Sequence, residues 1–351
     1  MPFQKVPILA SLGSFIIDDI VFKDNSKVND IPGGAGLFAI YGMRIWQPYE
    51  NSKRIGYILH KGFDHPKDID DVIDRLNISL ISKVHPNKYT PRGLNTFGQN
   101  DHRDFEYIHP IIRVTTSDFP DEWIDSIEIL HIISAPTRAA ETIIEWRDRE
   151  KNLEAKTATQ FLWEPLPWAC LPENEDIIYE AAKLVKILSP NHEELAAIFG
   201  YSFPELLLSH NNDFKATVEY CGKRFMKRMR GNDQLVLLVR CSKYGAMIMQ
   251  QAQHEASTEQ KVQWVSAYYT NDQSKVTDVT GAGNSFCGGY CYGWIATKGD
   301  PVESTFYGAV SASYTVEQIG LPKLSNVASE ETWNDGPRPS ERLTILKQKH
   351  I

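Results

Sequence analysis

The chain has 351 residues, of which 42% are hydrophobic and 23% charged, and its formal net charge is −8. This composition is ordinary for a soluble globular protein, and a chain of this length buries enough apolar surface to fold without disulfides or a structural metal. The negative charge disfavours nucleic acid or an anionic membrane as a partner. The longest apolar runs are about five residues, far below the roughly 20 that span a bilayer.

The chain contains five cysteines, Cys170, Cys221, Cys241, Cys287 and Cys291. Their number is odd and no pair has Cys-x-x-Cys spacing, so a disulfide framework or a structural zinc site is disfavoured and a reducing compartment is indicated. Cys287 and Cys291 share one face of a predicted helix, where packing is favoured over metal binding. The amino terminus lacks the pattern of a signal peptide. We therefore expect a cytoplasmic protein, with the nucleus as an alternative.

Short β-rich runs alternate with amphipathic stretches along the chain, which is the pattern of βαβ units around a mainly parallel sheet. In chain order the predicted elements are strand 8–17 with an interruption at Gly13, helix 37–46, strand 54–59, helix 67–76, strand 80–84, strand 127–134, helix 137–151, strand 156–164, helix 174–185, strand 186–189, a helix from residue 192, helix 212–230, strand 235–239, strand 245–250, helix 285–297 and helix 302–318.

Two segments fall outside this alternation. Residues 90–109 mix Gly, Asn, Thr, aromatic and charged residues, and we predict a hairpin there with its turn at Gly98-Gln99-Asn100-Asp101. We interpret this hairpin as a lid or an edge appendage. The last 26 residues, from Asn326, are polar and contain Gly336-Pro337-Arg338-Pro339. We expect this tail to wrap the surface or to fray.

The most informative stretch is Asp278-Val279-Thr280-Gly281-Ala282-Gly283-Asn284-Ser285-Phe286, where a tight glycine turn meets an apolar helix. Gly281 and Gly283 allow backbone N–H groups to point the same way, and the helix start adds free N–H groups and a positive dipole end. The stretch therefore predicts a site for phosphate or for the charge that develops in phosphoryl transfer. The alternative is a plain glycine turn with Asn284 as the helix cap. A Walker A loop and a Gly-x-Gly-x-x-Gly loop do not occur in the sequence.

This stretch resembles the C-terminal signature of the PfkB (ribokinase-type) carbohydrate kinases, Asp-x-Thr-Gly-Ala-Gly-Asp. Further segments agree with that family in order and spacing over roughly residues 6–325: Gly13-Ser14 followed by Asp18, Pro32-Gly33-Gly34, Ser189-Pro190-Asn191-His192-Glu193-Glu194, and Ser242-Lys243-Tyr244-Gly245, in which serine replaces the first glycine. Within the family the chain looks most like a fungal branch, the killer-maintenance type. The features that point there are Arg92-Gly93-Leu94-Asn95, Trp163-Glu164-Pro165-Leu166-Pro167 and Asn284.

The resemblance implies a ribokinase-like three-layer α/β/α sandwich over residues 1–325, followed by the polar tail 326–351. Two inserts, about 15–32 and 88–110, would form a small β lid. The first insert has room for little more than one strand or hairpin, so we expect a reduced lid. Ligands should lie at the carboxyl ends of the strands, as in open α/β sheets generally.

The resemblance also implies an ATP-dependent kinase that phosphorylates a hydroxyl of a sugar, nucleoside or similar small molecule, with Mg²⁺ and in some members a monovalent cation. The implied roles are acceptor binding by Asp18, Gly33, Gly34, Arg92 and Asp278, magnesium and phosphate organisation by Asn191 and Glu194 (with Glu194 acting on Mg²⁺ indirectly), nucleotide binding by Ser242 and Gly245, and catalysis by Gly281, Ala282, Gly283 and Asn284.

The chain departs from the family at the catalytic base, because Asn284 stands where the family has aspartate. A carboxamide does not accept a proton usefully near neutral pH, and general-base catalysis is worth about 10²–10⁴-fold. Phosphoryl transfer depends mostly on positioning and electrostatics, so we expect weakened catalysis rather than none. Asp278, Asp18 and Asp19 are conceivable substitute bases, although none occupies the position of the family's base.

Two alternatives remain open at this stage. One is a catalytically silent member that binds nucleotide or sugar and acts as a scaffold or sensor, which Asn284 and Ser242 favour. The other is a purely structural partner in a larger particle, which would bind no nucleotide. A monomer and a homodimer are both compatible with the sequence, because a reduced lid removes a surface through which many relatives dimerise.

Overall fold

Parallel strands flanked by helices form the centre of the computed structural model, which describes residues 6–21, 24–97, 103–232, 234–251, 260–325 and 330–350. The strands are β1 (Leu9–Ser11), β2 (Ile16–Val21), β3 (Lys27–Gly33), β4 (Ile55–Gly62), β5 (Ser79–His85), β6 (Arg92–Phe97), β7 (Arg103–His109), β8 (Ile129–Ser134), β9 (Gln160–Pro165), β10 (Ile187–Leu188), β11 (Val236–Arg240), β12 (Ala246–Gln251), β13 (Gln260–Val265), β14 (Leu324–Ser325) and β15 (Thr332–Trp333). The helices are α1 (Ala35–Arg44), α2 (Lys67–Asp74), α3 (Asp121–Ile124), α4 (Pro136–Asn152), α5 (Glu175–Ala182), α6 (His192–Ala197), α7 (Phe203–Ser209), α8 (Phe214–Arg228), α9 (Ala282–Ala296), α10 (Pro301–Thr315) and α11 (Pro339–Gln348).

Within the described residues the large sheet has nine strands in the order β13-β12-β11-β10-β9-β8-β1-β4-β5. Seven of these strands run parallel to their neighbours, namely β11, β10, β9, β8, β1, β4 and β5. Strands β12 and β13 are antiparallel additions at one edge. Successive side chains face opposite sides of a strand, and both sides are apolar here: Ile129 packs into one core cluster and Leu130 into the other. Helices α4, α5 and α8 cover one face, and α1, α2, α9 and α10 cover the other. The predicted three-layer ribokinase-like fold is confirmed.

A second, four-stranded sheet with the order β3-β2-β6-β7 stands apart from the large sheet. Strands β2 and β3 form an antiparallel hairpin, as do β6 and β7, and β2 pairs with β6 in parallel. Both inserts expected to form a lid therefore contribute two strands each. The predicted turn at Gly98-Gln99-Asn100-Asp101 lies outside the described residues.

The single strand predicted over 8–17 is wrong, because the chain turns at Gly13 and its two halves belong to different sheets. A Cβ on Gly13 would lie 2.5 Å from Cα of Gly36, so the backbone of the turn packs directly on the start of α1. The sequence patterns also gave no signal for α3, α7, α11 or β13, which are short or polar. Among the described residues, none of the helices is both long enough and apolar enough to cross a membrane.

The C-terminal residues form β15 and α11 rather than a frayed end. Helix α11 packs against α10, and the side chains of Trp333 and Leu346 are buried in the same core cluster as α1. Arg44 of α1 is fully buried and forms an ion pair of 2.5 Å with Glu331. The sequence gives little indication of this packing, because the apolar residues of α11 are isolated and do not form a clear apolar face.

Leu346 provides a test of whether α11 belongs to the cooperative core. We expect Leu346→Ala to lower the free energy of unfolding by about 2–5 kcal/mol, because a fully buried leucine would leave a cavity. The matched control is Ile345→Ala, whose side chain is 38% exposed and whose loss should cost about 0.5 kcal/mol or less. Urea unfolding measures both. Equal effects of the two substitutions would contradict the assignment.

Candidate active site

The carboxyl ends of the central parallel strands meet the start of α9 at one edge of the sheet. Because β8, β9, β10 and β11 run parallel, the residues near or beyond their carboxyl ends lie side by side. His131 stands within β8, Glu164 near the end of β9 and Arg240 at the end of β11. Helix α9 brings Asn284 to the same place.

Glu164 is the centre of a buried polar cluster. Its side chain is 4% exposed and accepts hydrogen bonds from three directions. Arg240 Nη1 lies 2.7 Å from Oε1, His131 Nε2 lies 3.0 Å from Oε2, and Asn284 Nδ2 donates to both oxygens at 3.0 Å. His131 is held in turn by the Ser11 hydroxyl, 2.9 Å from Nδ1. The carboxylate therefore has all of its partners inside the protein.

These contacts determine the charge of Glu164. Burial by itself raises the pKa of Glu164, but the Arg240 charge and the hydrogen bonds from His131 and Asn284 outweigh it and lower the pKa to about 2. A carboxylate that holds its charge so firmly is a poor proton acceptor. Glu164 therefore does not replace the missing base at position 284.

The shift in the pKa of Glu164 predicts a stability loss in acid. The pKa falls from 4.5 to about 2 on folding, so the stabilisation is complete above pH 4.5 and is lost as the pH falls towards 2. We expect a loss of about 3 kcal/mol over that range, measured by urea unfolding at several pH values. Glu164→Gln, although less stable at neutral pH, should show a shallower decline. The same pH dependence in both proteins would contradict the assignment.

Arg240 connects Glu164 with a second carboxylate. Its Nη2 donates to the carbonyl oxygen of Ser189 at 3.0 Å and lies 3.3 Å from Oε2 of Glu194. The guanidinium also supports the glycine turn, since a Cβ on Gly283 would lie 2.2 Å from Nη1. Burial opposes the charge of Arg240, but the two glutamates and nearby thiols raise its pKa above the usual value. Arg240 is therefore a permanent cation beneath the start of α9.

Glu194 and Asn191 form a capping box at the start of α6. The Asn191 side chain accepts from the Glu194 backbone N–H at 2.8 Å, and the Glu194 carboxylate accepts from the Asn191 backbone N–H at 2.7 Å and from Nδ2 at 2.8 Å. Burial raises the pKa of Glu194 despite Arg240. The capping role that these residue types suggest is thus present in the structure, together with the contact to Arg240.

These residues do not fit Glu194 as a direct ligand of a magnesium ion, and its indirect role toward magnesium stays a prediction. Mg²⁺ requires near-octahedral oxygen ligands at about 2.0–2.1 Å, whereas the Glu194 carboxylate is engaged by Asn191 and by a guanidinium. His131, Glu164 and Cys287 also place one potential ligand atom each within 4.8 Å of one another. Glu164 is already committed to Arg240 there, and burial raises the pKa of the Cys287 thiol, so this trio does not offer an open metal site.

The glycine turn has the geometry that the sequence predicts. Gly281 adopts φ +75° and precedes α9, and no side chain caps that helix start within the described residues. Asp278 shapes the turn, because its Oδ1 accepts from the Thr280 backbone N–H at 2.9 Å and from the Thr280 hydroxyl at 2.8 Å. A Cβ on Gly281 would lie 2.3 Å from the Phe38 ring, so only glycine fits. The Ala282 N–H donates to the carbonyl oxygen of Val279 at 3.2 Å, so the N–H groups that α9 offers to an anion begin at Gly283.

A cleft of about 440 Å³ opens beside this turn. Its lining includes Asn191, Arg240, Ser242, Lys243, Tyr268, Tyr269, Val279, Ala282, Gly283, Ala309 and Val316. The lining combines polar and charged side chains with aromatic and aliphatic ones, and it includes Gly283 of the glycine turn, a composition that suits a nucleotide. Ser242 adopts φ +51°, so serine takes up the left-handed conformation that glycine would adopt without strain. Larger depressions elsewhere, such as one of about 1030 Å³ beside β5, contain none of these residues.

The four-stranded sheet carries three of the five predicted acceptor residues, Asp18, Gly33 and Arg92. Asp18 of β2 is buried, and Asn95 Nδ2 donates to its Oδ1 at 3.0 Å. A Cβ on Gly33 would lie 2.3 Å from Oδ2 of Asp18 and 3.6 Å from the Phe38 ring. The Phe38 ring therefore lies next to Gly33 of the four-stranded sheet and next to Gly281 of the glycine turn.

Arg92 lies in β6 beside β2, and its side chain pairs with Asp19 rather than with Asp18. It forms ion pairs of 2.7 Å with Asp19 and 2.6 Å with Asp30, so much of its hydrogen-bonding capacity serves the lid. The roles that the resemblance implies stay predictions for every site residue: Asp18, Gly33, Gly34, Arg92, Asp278, Asn191, Glu194, Ser242, Gly245, Gly281, Ala282, Gly283 and Asn284. Gly34, with φ +89°, starts α1, and Gly245, with φ +92°, packs against the carbonyl of Val265.

Sequence reasoning missed four residues of this site: His131, Arg240, Asn95 and Phe38. Two of them carried a signal, since Arg240 is a charge that directly follows the apolar run Leu235 to Val239, and His131 interrupts an apolar strand. The role of Glu164 stayed open at the sequence level because its partners are remote in the chain. The structure shows that Glu164 organises the cluster.

A three-layer fold with a glycine turn, a nucleotide-sized cleft and a small β lid is that of the ribokinase-type kinases. The family model described as "pfkB family carbohydrate kinase" matches residues 81–325, and the chain belongs to that family. It is 31% identical over 329 residues to an uncharacterized protein of Schizosaccharomyces pombe, covering 92% of this chain and 88% of the relative. It is 30% identical over 335 residues to the protein MAK32 of Saccharomyces cerevisiae, covering 92% and 87%. Both relatives are fungal, which confirms the predicted branch.

The fold comparison agrees with this assignment. Ribokinase from Arabidopsis thaliana, solved with ribose and ATP, superposes with a TM-score of 0.60 at 15% identity, and the match covers 97% of this chain and 99% of that one. At this identity the similarity shows the fold alone.

Proposed function

We propose that the protein binds ATP in the 440 Å³ cleft and a hydroxyl-bearing small molecule, a sugar or nucleoside, beneath the four-stranded sheet, and that it transfers phosphate between them slowly. The observation that carries this proposal is that the glycine turn adjoins both regions: Gly283 lines the cleft, and the Phe38 ring lies next to both Gly281 and Gly33. The ribose and ATP bound by the Arabidopsis ribokinase support the two ligand classes. The five free cysteines are buried, which favours a reducing compartment such as the cytoplasm.

The proposed roles follow from position. Asp18 accepts hydrogen bonds from acceptor hydroxyls, while Gly33 and Gly34 let the acceptor approach the backbone. The N–H groups of Gly281 and Gly283 stabilise negative charge on the transferring group, whereas the N–H of Ala282 shapes the turn by donating to the carbonyl oxygen of Val279. Asn284 orients the attacking hydroxyl through its amide oxygen. The loose transition state of phosphoryl transfer lets positioning supply much of the rate.

The slow rate follows from position 284. Asn284 accepts no proton, and Glu164, whose pKa is about 2, holds its charge too firmly to act instead. We expect turnover about 10²–10⁴-fold below that of a protein with a working base.

The second candidate is a silent member that binds nucleotide and acceptor without chemistry. One observation favours it: the Asn284 side-chain nitrogen donates both of its 3.0 Å hydrogen bonds to Glu164, so this residue has a structural role in the cluster that does not depend on catalysis. Product formation, rather than ligand binding, separates the two candidates. Incubation with ATP and a metabolite extract or a panel of sugars and nucleosides, read by mass spectrometry, gives a phosphorylated product only in the first case.

Asp18 and its neighbour Asp19 give a matched test of the acceptor site. Asp18→Asn should weaken acceptor binding by about 10- to 100-fold, because it removes a charged acceptor of hydrogen bonds. Asp19→Asn removes the same charge one residue away, where the carboxylate pairs with Arg92 instead, and should change acceptor affinity less than about threefold. Calorimetric titration with the acceptor found in the screen measures both. Equal losses would contradict the role of Asp18.

A further inference from the structure

Arg240 occupies the space between the two carboxylates of the site. Its Nη1 lies 2.7 Å from Glu164 and its Nη2 lies 3.3 Å from Glu194. The two glutamate side chains are at most 7% exposed and that of Arg240 is 12% exposed. The carboxylates that would attract a divalent cation are therefore already neutralised in part by a cation that is covalently attached to the fold.

Arg240 also faces the cleft and retains unused donor capacity. It lines the 440 Å³ cleft together with Gly283, and its Nη1 packs against the backbone of Gly283. Its Nε is buried and has no hydrogen-bond partner among the described residues. A guanidinium has five N–H donors in a planar fork that matches phosphate oxygens. The guanidinium lines the cleft next to Gly283, and its donors are not all used inside the described part of the protein, which together point to an anionic ligand.

We infer that Arg240 takes the place of a magnesium ion in this site, so that the cleft binds the phosphates of a nucleotide without a divalent cation. The inference rests on the proposed nucleotide binding and adds its electrostatic basis. A guanidinium and the N–H groups of α9 together provide a positive surface for phosphate. A Mg²⁺ ion at Glu194 would lie beside the Arg240 charge and would have to displace it, which like-charge repulsion disfavours.

Titration of the full-length protein with ATP, ADP and adenosine tests the inference directly. We expect magnesium to make little difference to the binding of ATP and ADP. For each nucleotide, the dissociation constants in about 5 mM EDTA, which removes the metal, and in about 5 mM MgCl₂, which supplies it in excess, should agree within about threefold at matched ionic strength. Adenosine should bind at least about tenfold more weakly, because it lacks the phosphates. Binding of ATP only with MgCl₂ would overturn the inference and leave the proposed function intact. No nucleotide binding under either condition would overturn both.

Replacing Arg240 supplies a second test. Arg240→Ala should weaken ATP binding in EDTA by about 10- to 100-fold, and it leaves Glu164 and Glu194 without their cation. The variant should then be stabilised by MgCl₂ and not by NaCl of equal ionic strength, whereas the melting temperature of the wild type should not respond to MgCl₂. Unchanged ATP affinity of Arg240→Ala in EDTA would overturn the inference.

The control variant is Arg228→Ala, which removes an arginine that also pairs with two carboxylates, Glu175 and Asp176, but on the surface. It should leave nucleotide affinity and the absence of a magnesium response unchanged. If Arg240→Ala does not fold, Arg240→Lys keeps the charge and loses the planar fork, and it should lower ATP affinity in EDTA by about tenfold. Wild-type affinity of Arg240→Lys for ATP in EDTA would then count against the guanidinium as the phosphate ligand.

Discussion

The double variant Glu164→Gln/Asn284→Asp is expected to transfer phosphate at least about 100-fold faster than the wild type. In the wild type, the Asn284 amide donates two hydrogen bonds of 3.0 Å to the Glu164 carboxylate. The double variant exchanges the two groups, so that a glutamine amide at 164 donates to an aspartate at 284. One carboxylate and one amide remain in the same volume, and the carboxylate now stands where the family's base stands.

The single variant Asn284→Asp should not show this gain. It places a second carboxylate within about 3 Å of Glu164 in a buried site, where two negative charges do not coexist without a raised pKa or a loss of stability. We expect a lowered melting temperature and little gain in rate. The cycle compares the wild type, Glu164→Gln, Asn284→Asp and the double variant. Initial rates with the acceptor found in the screen and melting temperatures are measured for all four proteins.

The outcome distinguishes three situations. A fast double variant and a slow, unstable single variant would show that positions 164 and 284 act as a complementary pair. A single variant as fast and as stable as the double would show that the pairing is irrelevant. A silent double variant that still binds ATP and acceptor would favour the scaffold hypothesis, in which more than the base has been lost.

The departure at position 284 is therefore one part of a connected set. Asn284, Glu164 and Arg240 come from different elements, yet the residue type at each position restricts the residue types that the other two positions tolerate. Arg240 holds Glu164 charged, the charged Glu164 excludes a carboxylate at 284, and the asparagine supplies the donors that Glu164 accepts. A change at any one of the three positions alone leaves a buried charge or donor without its partner, which is costly.

Much of the fold follows from the sequence because its signals are local. The alternation of apolar strands and amphipathic helices predicts a parallel sheet, and the glycine turn before α9 is recognisable from residues that are adjacent in the chain. The short helices and α11 were missed for the same reason. Leu346 and Trp333 are buried only because tertiary packing covers them, and their own segments are too polar to show an apolar face.

The site was less predictable because its contacts are remote in sequence. His131, Glu164, Arg240 and Asn284 lie on three strands and one helix, and no spacing rule connects them. Asn284 alone suggests a lost base. Only the geometry shows that the amide is hydrogen-bonded to a buried glutamate, and that an arginine occupies the space near Glu194 that the resemblance assigns to magnesium organisation.

Gly283→Ala is expected to lower the free energy of unfolding by about 2–4 kcal/mol, although alanine is the better helix former. An alanine in a helix gains about 1 kcal/mol over glycine. However, its Cβ would lie 2.2 Å from Arg240 Nη1, and a shift of the guanidinium would disturb its ion pairs with Glu164 and Glu194. Breaking a buried ion pair costs about 3–5 kcal/mol, so the collision should exceed the gain in helix propensity. The same displacement should remove measurable ATP binding.

Arg240→Ala provides the background in which the sign of this effect should reverse. Once the guanidinium is absent, the Cβ that Gly283→Ala adds meets no charged group there, and the substitution should be neutral or stabilising by up to about 1 kcal/mol. Urea unfolding of the wild type, the two single variants and the double variant measures the interaction between the positions. Destabilisation by Gly283→Ala of equal size in both backgrounds would show that the glycine serves another purpose than to admit Arg240. Reversal of sign would show that Arg240 and the glycine turn are energetically coupled, because the guanidinium then decides whether position 283 accepts a side chain larger than that of glycine.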